Sequence, residues 1–202
     1  RYADDSMIFC KSKRAAMRVK ESITRFIENA LYLKVNKDKT VVSYVRGVKY
    51  LGYSFNVMKG KCQLTVHSKS KAKMKSRLKE LTSRSNGWGY AKRKQKLKEY
   101  IKGWVGYYHL ANMKRLLLET DEWLRRRIRM CIWKAWKKVE TKVANLIRCG
   151  INKYKAYEWG NTRKGYWRIA DSYILHRAIT NEHLCRAGYA TLMGSYLEWH
   201  PK

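Results

Sequence analysis

The chain has 202 residues, enough to bury the core of one large domain or two small ones. Its 46 Lys and Arg against 15 Asp and Glu give a net charge of +31. Self-repulsion of that size opposes folding unless a polyanion neutralises it, which puts nucleic acid ahead of an anionic membrane surface as the partner. No run of 18 apolar residues marks a transmembrane span. Five scattered cysteines (Cys10, Cys62, Cys131, Cys149, Cys185), with no C-x-x-C pair, argue against a disulfide framework or zinc ribbon and fit a reducing cytoplasm.

The first ten residues, "RYADDSMIFC", place Asp4 and Asp5 between two short apolar runs, the pattern of a tight β-hairpin with acidic residues at its bend. Adjacent carboxylates at a bend can hold divalent cations, since Mg²⁺ takes hard oxygen ligands; Asp-Asp is also ordinary turn chemistry. Neither an initiator Met nor a secretory signal precedes them, so the chain reads as cut from something longer. Ser12 is placed to cap a helix over residues 15–33, where Ala16, Val19, Ile23, Phe26, Ile27 and Ala30 recur at helical spacing and predict one buried face. Asn36-Lys37-Asp38 is turn chemistry. Residues 40–45 and 48–55 read as strands of a hairpin around Arg46-Gly47, and 62–66 as a third strand after Lys59-Gly60.

Beyond His67 the periodicity becomes helical, over residues 70–83, 91–110 and 113–149, with breaks at Ser85-Asn86-Gly87 and Asn112. Leu78, Leu81, Leu97, Ile101, Trp104, Leu116, Leu117, Trp123, Leu124, Ile128, Ile132 and Trp136 are the predicted core. Between Thr65 and Lys138 there are 22 Lys or Arg against 5 Asp or Glu. From Gly150 onward "YEWGNTRKGYWRIADSYILHRAITNEHL" shows little clean periodicity until about Ile174, and a helix begins at His176 or Thr180. His176, His183, Cys149 and Cys185 have poor spacing for a zinc site, and none is expected. The fold class is α+β: β-hairpins plus one helix in residues 1–66, an all-α bundle in 67–149, and a small basic, aromatic, mainly helical extension in 150–202. Eight Trp and fifteen Tyr lie among the basic residues. Such a mixture suits RNA, whose bases stack on rings while Lys and Arg hold phosphates, although most rings in any fold are core.

The order Tyr2-Ala3-Asp4-Asp5, amphipathic helix, "LYLKVNKDKT", "VKYLGYSF", then basic helices with "YIKGWVGYY" resembles a group II intron-encoded reverse transcriptase and maturase from its active-site hairpin onward, over nearly the whole chain. The resemblance implies a partial polymerase palm, a thumb or maturase-specific domain X, and a C-terminal extension without an endonuclease. It makes Asp4 and Asp5 two of three catalytic Mg²⁺ ligands, with Tyr2 and Ala3 beneath primer and nucleotide. In "LKVNKDKT", Leu33, Asn36, Lys39 and Thr40 match a palm motif; Lys39 is a candidate proton donor to pyrophosphate or a solvated turn lysine. Tyr50, Leu51, Gly52 and Tyr53 match the primer grip, or form an ordinary hairpin.

In the helical section the same resemblance makes Lys69, Lys71, Lys73, Lys75, Arg77, Arg93, Lys94, Arg125, Arg126, Arg127 and Arg129 candidates for binding template–primer and intron RNA. Trp104 is expected in the core, and one of Tyr107 and Tyr108 at the surface. The run Arg125-Arg126-Arg127 cannot face one way on a helix. Arg163, Lys164, Tyr166, Trp167 and Arg168 are suited to phosphate contact and stacking, on intron RNA or target DNA. In this family the third aspartate and the nucleotide-binding fingers precede the Tyr-Ala-Asp-Asp segment, where this chain has only Arg1. The expectation is therefore part of an RNA-directed DNA polymerase, inactive alone. The alternatives are a splicing cofactor that binds intron RNA without polymerase chemistry, or a general basic RNA-binding protein.

Overall fold

The computed structural model of the chain describes residues 2, 5–46, 48–58 and 60–201, which divide into two compact units, 1–67 and 68–202. In the first, Tyr2 and Asp5 exchange both backbone hydrogen bonds, at 2.8 and 2.9 Å, the reciprocal pairing of a closed antiparallel turn. Among the described residues the expected flanking strands do not form: residues 6–10 carry no ladder, and the Phe9 ring meets Phe55 edge-on at 5.7 Å.

Helix α1 (Lys13–Asn29) starts where Ser12, extended at φ −140°, accepts a hydrogen bond from the Ala15 N–H at 3.2 Å. It stops short of the expected residue 33, and Tyr32 lies in the left-handed region at φ 53°, which no α-helix continues through. Its apolar stripe is only half-covered. Ala16, Val19, Ile23 and Ile27 are half-buried, Met17 and Phe26 are exposed, and no residue of α1 is buried. This corrects the expected buried face: a unit of this size has too little surface to enclose a helix and a sheet together.

The strand expected over 40–45 does not form. The Thr40 N–H and hydroxyl both donate to the Asn36 carbonyl, at 3.0 and 2.7 Å, so a local turn takes the polar groups a strand would pair. The run 48–55 is two strands, β1 (Lys49–Tyr50) and β2 (Tyr53–Met58), joined at Leu51-Gly52, where φ is 49° and 80°. Positive φ at both central residues is the demand of a type I′ hairpin, whose twist matches that of the strands. Tyr50 faces Tyr53 across it. β3 (Lys61–Val66) then pairs antiparallel with β2, giving sheet order β1-β2-β3.

The second unit begins with α2 (Ser68–Leu81), α3 (Tyr90–Tyr108) and α4 (Lys114–Ala135), close to the predicted spans. Met74, Leu78 and Leu81 of α2, Leu97, Ile101 and Val105 of α3, and Leu117, Leu124 and Ile128 of α4 are buried. Trp136 is buried as expected, whereas Trp104, Leu116, Trp123 and Ile132 are half-buried. The helix expected over 113–149 is broken: α4 ends at Trp136, and α5 (Val139–Arg148) starts anew. Neither Gly nor Pro marks the break. It keeps the Trp136 ring buried at 5.7 Å from Trp133.

Five short helices follow where little periodicity is readable: α6 (Lys153–Gly160), α7 (Tyr166–Ile169), α8 (Tyr173–Ala178), α9 (Asn181–Arg186) and α10 (Leu192–Trp199). Three of the five start at side-chain caps. Asn152, Thr180 and Thr191 accept hydrogen bonds from Tyr154, His183 and Gly194 N–H groups, respectively. Gly150 and Gly188, at φ 83° and 84°, end α5 and α9 in paired carbonyl contacts that bring Ile151 and Tyr189 inward. Within this unit the segment after residue 150 packs on the earlier helices, α7 against α4 and α10 against α3 and α4.

Asp121 of α4 makes the firmest of these joins. It is buried, and its two carboxylate oxygens accept the Leu192 and Met193 N–H groups at 2.8 and 2.9 Å. Thr191 Oγ1 takes the Gly194 N–H, so the N–H groups of Leu192, Met193 and Gly194 that open α10 all have acceptors. At its other end Trp199 stacks on His109 at 4.5 Å and lies over Gly106. Helices α5 and α6 approach most closely at Gly160, where a Cβ would stand 2.8 Å from the Val143 Cγ2. Gly160→Ala is expected to cost about 1–3 kcal/mol from overpacking, read as a lower denaturation midpoint, with partial recovery when Val143→Ala is added. An unchanged midpoint would contradict the close approach.

Candidate nucleic-acid interface

Asp4 lies outside the described residues, as does Ala3. Asp5 is exposed, and its carboxylate makes no hydrogen bond or ion pair among the described residues. Its oxygens are hard donors of the kind Mg²⁺ takes. The Asp5 backbone is anchored twice: in its pairing with Tyr2, and by its carbonyl, which accepts the Tyr50 hydroxyl at 3.4 Å. That second bond ties the acidic turn to the β1–β2 hairpin. Tyr50, Leu51, Gly52 and Tyr53 are all half-buried, and the His67 N–H donates to the Gly52 carbonyl at 3.0 Å, bracing the turn from behind. Tyr2 is exposed. Lys39 has its backbone N–H on Asn36 Oδ1 at 3.1 Å, while its side chain is exposed on that turn.

On α2, Lys69, Lys73, Lys75 and Arg77 are exposed and Lys71 is half-buried, with Arg77 paired to Glu80. An exposed pair of that type contributes little to stability. Lys73 and Lys75 are open to solvent. Arg93 and Arg129 take a different place from the one expected: each is 4% exposed. Arg93 Nη2 donates to Asn86 Oδ1 at 3.0 Å, holding the turn before α3. Arg129 donates to the Ile179 carbonyl at 2.8 Å and to Asn181 Oδ1 at 3.0 Å, holding the entry to α9. Helical spacing alone does not distinguish a cation that binds buried carbonyls from one facing water. Lys94, half-buried, donates to the Ala187 carbonyl at 2.9 Å. Tyr107 is exposed and Tyr108 half-buried, each with its ring 4.7 Å from a neighbour.

The three arginines of α4 point to three neighbours. Arg125 faces α9, beside Asn181 and Glu182. Arg127 turns to α2, with Nε on Thr82 Oγ1 at 2.6 Å and Nη2 on the Lys79 and Thr82 carbonyls at 3.0 and 3.1 Å. Arg126 turns to α7, where its guanidinium lies 3.9 Å from the centre of the Trp167 ring and donates to the Trp167 carbonyl at 3.1 Å. Asp171 pairs with the same guanidinium at 2.8 Å and with His176 at 3.5 Å.

Beside this pair, Tyr166 packs on Met130, Cys131 and Ala170 and receives Arg84 and Lys134 over its ring at 5.1 and 5.2 Å. Each such contact is worth about 0.5–1 kcal/mol at an exposed site. Trp167 keeps 40% of its surface open, and Arg163, Lys164 and Arg168 are exposed around it. Arg84, Lys134 and Asp171 are absent from the sequence-based candidates. They are 82, 32 and 5 residues from Tyr166 along the chain, so periodicity does not connect them. Burial pushes the Cys131 thiol up, so this cysteine is packing rather than a nucleophile. Among the described residues, no three His, Cys, Asp or Glu side chains stand together as a metal site would require, and no helix is long and apolar enough to cross a membrane.

Residues 1–55 match the family model of the reverse transcriptase (RNA-dependent DNA polymerase), and residues 71–150 match that of the group II intron maturase-specific domain. No curated protein matches the chain.

Proposed function

We propose, from the premise that this chain carries reverse transcriptase and maturase-specific regions of a group II intron-encoded protein, that it binds intron RNA and template–primer for an RNA-directed DNA polymerase that also assists splicing. The observation that carries the binding reading is the cation–aromatic strip of Arg84, Lys134, Tyr166, Arg126 and Trp167, rimmed by Arg163, Lys164 and Arg168. Guanidinium groups already braced on rings lose little freedom when they meet phosphates, and an open indole offers a base a stacking face. The cytoplasm is the proposed compartment, on the sequence ground that five scattered cysteines without a C-x-x-C pair suit reducing conditions.

In the polymerase reading, Asp4 and Asp5 hold Mg²⁺, and the exposed Asp5 carboxylate, without a partner among the described residues, has the right donor chemistry. When bound, the ion supplies charge that activates a primer 3′-hydroxyl and stabilises departing pyrophosphate. The Tyr50–Tyr53 hairpin supports the primer end, keeping the turn at Asp5 in register through the Tyr50 hydroxyl. Lys39 stands exposed as a proton donor to pyrophosphate. A second reading, a splicing cofactor without polymerase chemistry, is favoured by one fact. The maturase-specific match lies wholly in the unit that has the buried core and the strip.

Trp167→Ala is expected to weaken binding of the whole chain to structured RNA about 5- to 100-fold, the range of one lost stacking contact. Arg163→Ala and Lys164→Ala are expected to weaken binding to all RNAs alike and to flatten its salt dependence by about one unit of slope each. Fluorescence anisotropy across a salt series reads both. Binding unchanged in all three variants would remove the strip from the interface.

A further inference from the structure

A cavity of about 290 Å³ opens between α4, α9 and the turn into α10. Pockets for drug-sized ligands start near 300 Å³, so this one has room for a single nucleobase and little more. Leu124, Ile128 and Leu184 give it an apolar floor. The polar groups at its edge are unusual for so basic a chain, because two of the few carboxylates, Asp121 and Glu182, face it with Arg125 and Asn181. A phosphate would be repelled by that pair of acids. A base edge rich in donors would be held.

The commitments of these side chains narrow the choice. Asn181 Oδ1 accepts from Arg129 at 3.0 Å, which leaves its amide N–H₂ as the group on offer. Asp121 is occupied by the two backbone N–H groups of α10. Glu182 is exposed and has only a 3.5 Å contact to Arg186. Arg125 makes no hydrogen bond among the described residues. The cavity thus pairs a carboxylate acceptor with amide and guanidinium donors. Guanine alone among the four RNA bases offers two adjacent donors, N1–H and N2–H₂, next to an acceptor, O6, on one edge.

We infer that this cavity takes one unstacked guanine of a bound RNA strand, with the Glu182 carboxylate accepting from N1–H and N2–H₂ and Arg125 and Asn181 donating to O6. The inference rests on the RNA-binding reading above. Arg126 follows Arg125 on α4 and rests on Trp167, so a strand crossing the strip reaches the mouth of the cavity from the adjacent face of the same helix.

The test uses the whole chain and single-stranded oligouridine RNAs carrying one central guanosine or one central adenosine, with a structured intron RNA as reference. The guanosine oligomer is expected to bind roughly tenfold more tightly, the discrimination of one good bidentate contact. Glu182→Gln, at an exposed position, is expected to bring the two oligomers to the same affinity. Equal binding of the two oligomers, or a preference that survives Glu182→Gln, overturns the pocket while binding of the structured RNA leaves the wider reading standing. Failure of every RNA to bind overturns both.

Discussion

Asp121→Ala is expected to destabilise the chain by about 2–4 kcal/mol, since it leaves two backbone donors at the start of α10 without partners, one of them fully buried. The carboxylate is the join between α4 and the last helix, and the Tyr196 hydroxyl on the Ala111 carbonyl, at 3.2 Å, is the next hold along that helix. Asp121→Asn keeps one acceptor and turns an N–H₂ toward the other donor, so it should cost about half as much. The pH response has a definite sign. Burial, working against the two N–H groups and Arg125, raises the Asp121 pKa above its ordinary 3.8. A carboxyl whose folded pKa is raised contributes its full stability below the unfolded value and loses it as pH rises through the folded value. The wild-type chain should therefore lose this contribution on going up in pH from 3.8, and Asp121→Asn should abolish that part of the slope. Equal denaturation midpoints for wild type and Asp121→Ala would refute the join.

Asp4→Asn or Asp5→Asn, in a polypeptide that also supplies the third aspartate, is expected to reduce primer extension on an RNA template by more than tenfold, which corresponds to over about 1.4 kcal/mol of transition-state stabilisation. On the metal-binding reading, each change replaces a hard anionic ligand with a neutral amide of the same size. RNA binding by the second unit should be unaffected, because no basic or aromatic residue of the strip is touched. Single-turnover extension and equilibrium RNA binding, measured on the same preparation, separate the two effects. Undiminished extension would return Asp4 and Asp5 to turn chemistry.

Local chemistry was the legible part of the fold. Ser12 announces its helix, Gly60 the turn before β3, and the leucines of α2 and α3 their buried faces, because each signal acts within a few residues; Lys59 lies outside the described residues. The missed features are set by distant partners. Leu51 in a left-handed conformation betrays nothing in "YLGYSF" except the Gly after it, and the break at Trp136 depends on what the two tryptophans pack against. The five C-terminal helices are too short for periodicity; what fixes their ends is local, the caps at Asn152, Thr180 and Thr191 and the left-handed Gly150 and Gly188. At the candidate interface, residue type was readable and direction was not. Arg126 and Arg129 lie three residues apart on α4, and one braces an open indole while the other is buried on carbonyls. Only the folded positions of Trp167 and Ile179 separate them.

RNA binding through exposed basic residues and an aromatic strip can be measured by titrating the whole chain with its intron RNA and with a scrambled RNA of equal length between about 50 and 200 mM salt. Affinity is expected to fall about 10³-fold or more over that range, as six or more phosphate contacts require, with the intron RNA binding more tightly at every salt concentration. Affinity that is insensitive to salt, or identical for the two RNAs, would contradict it.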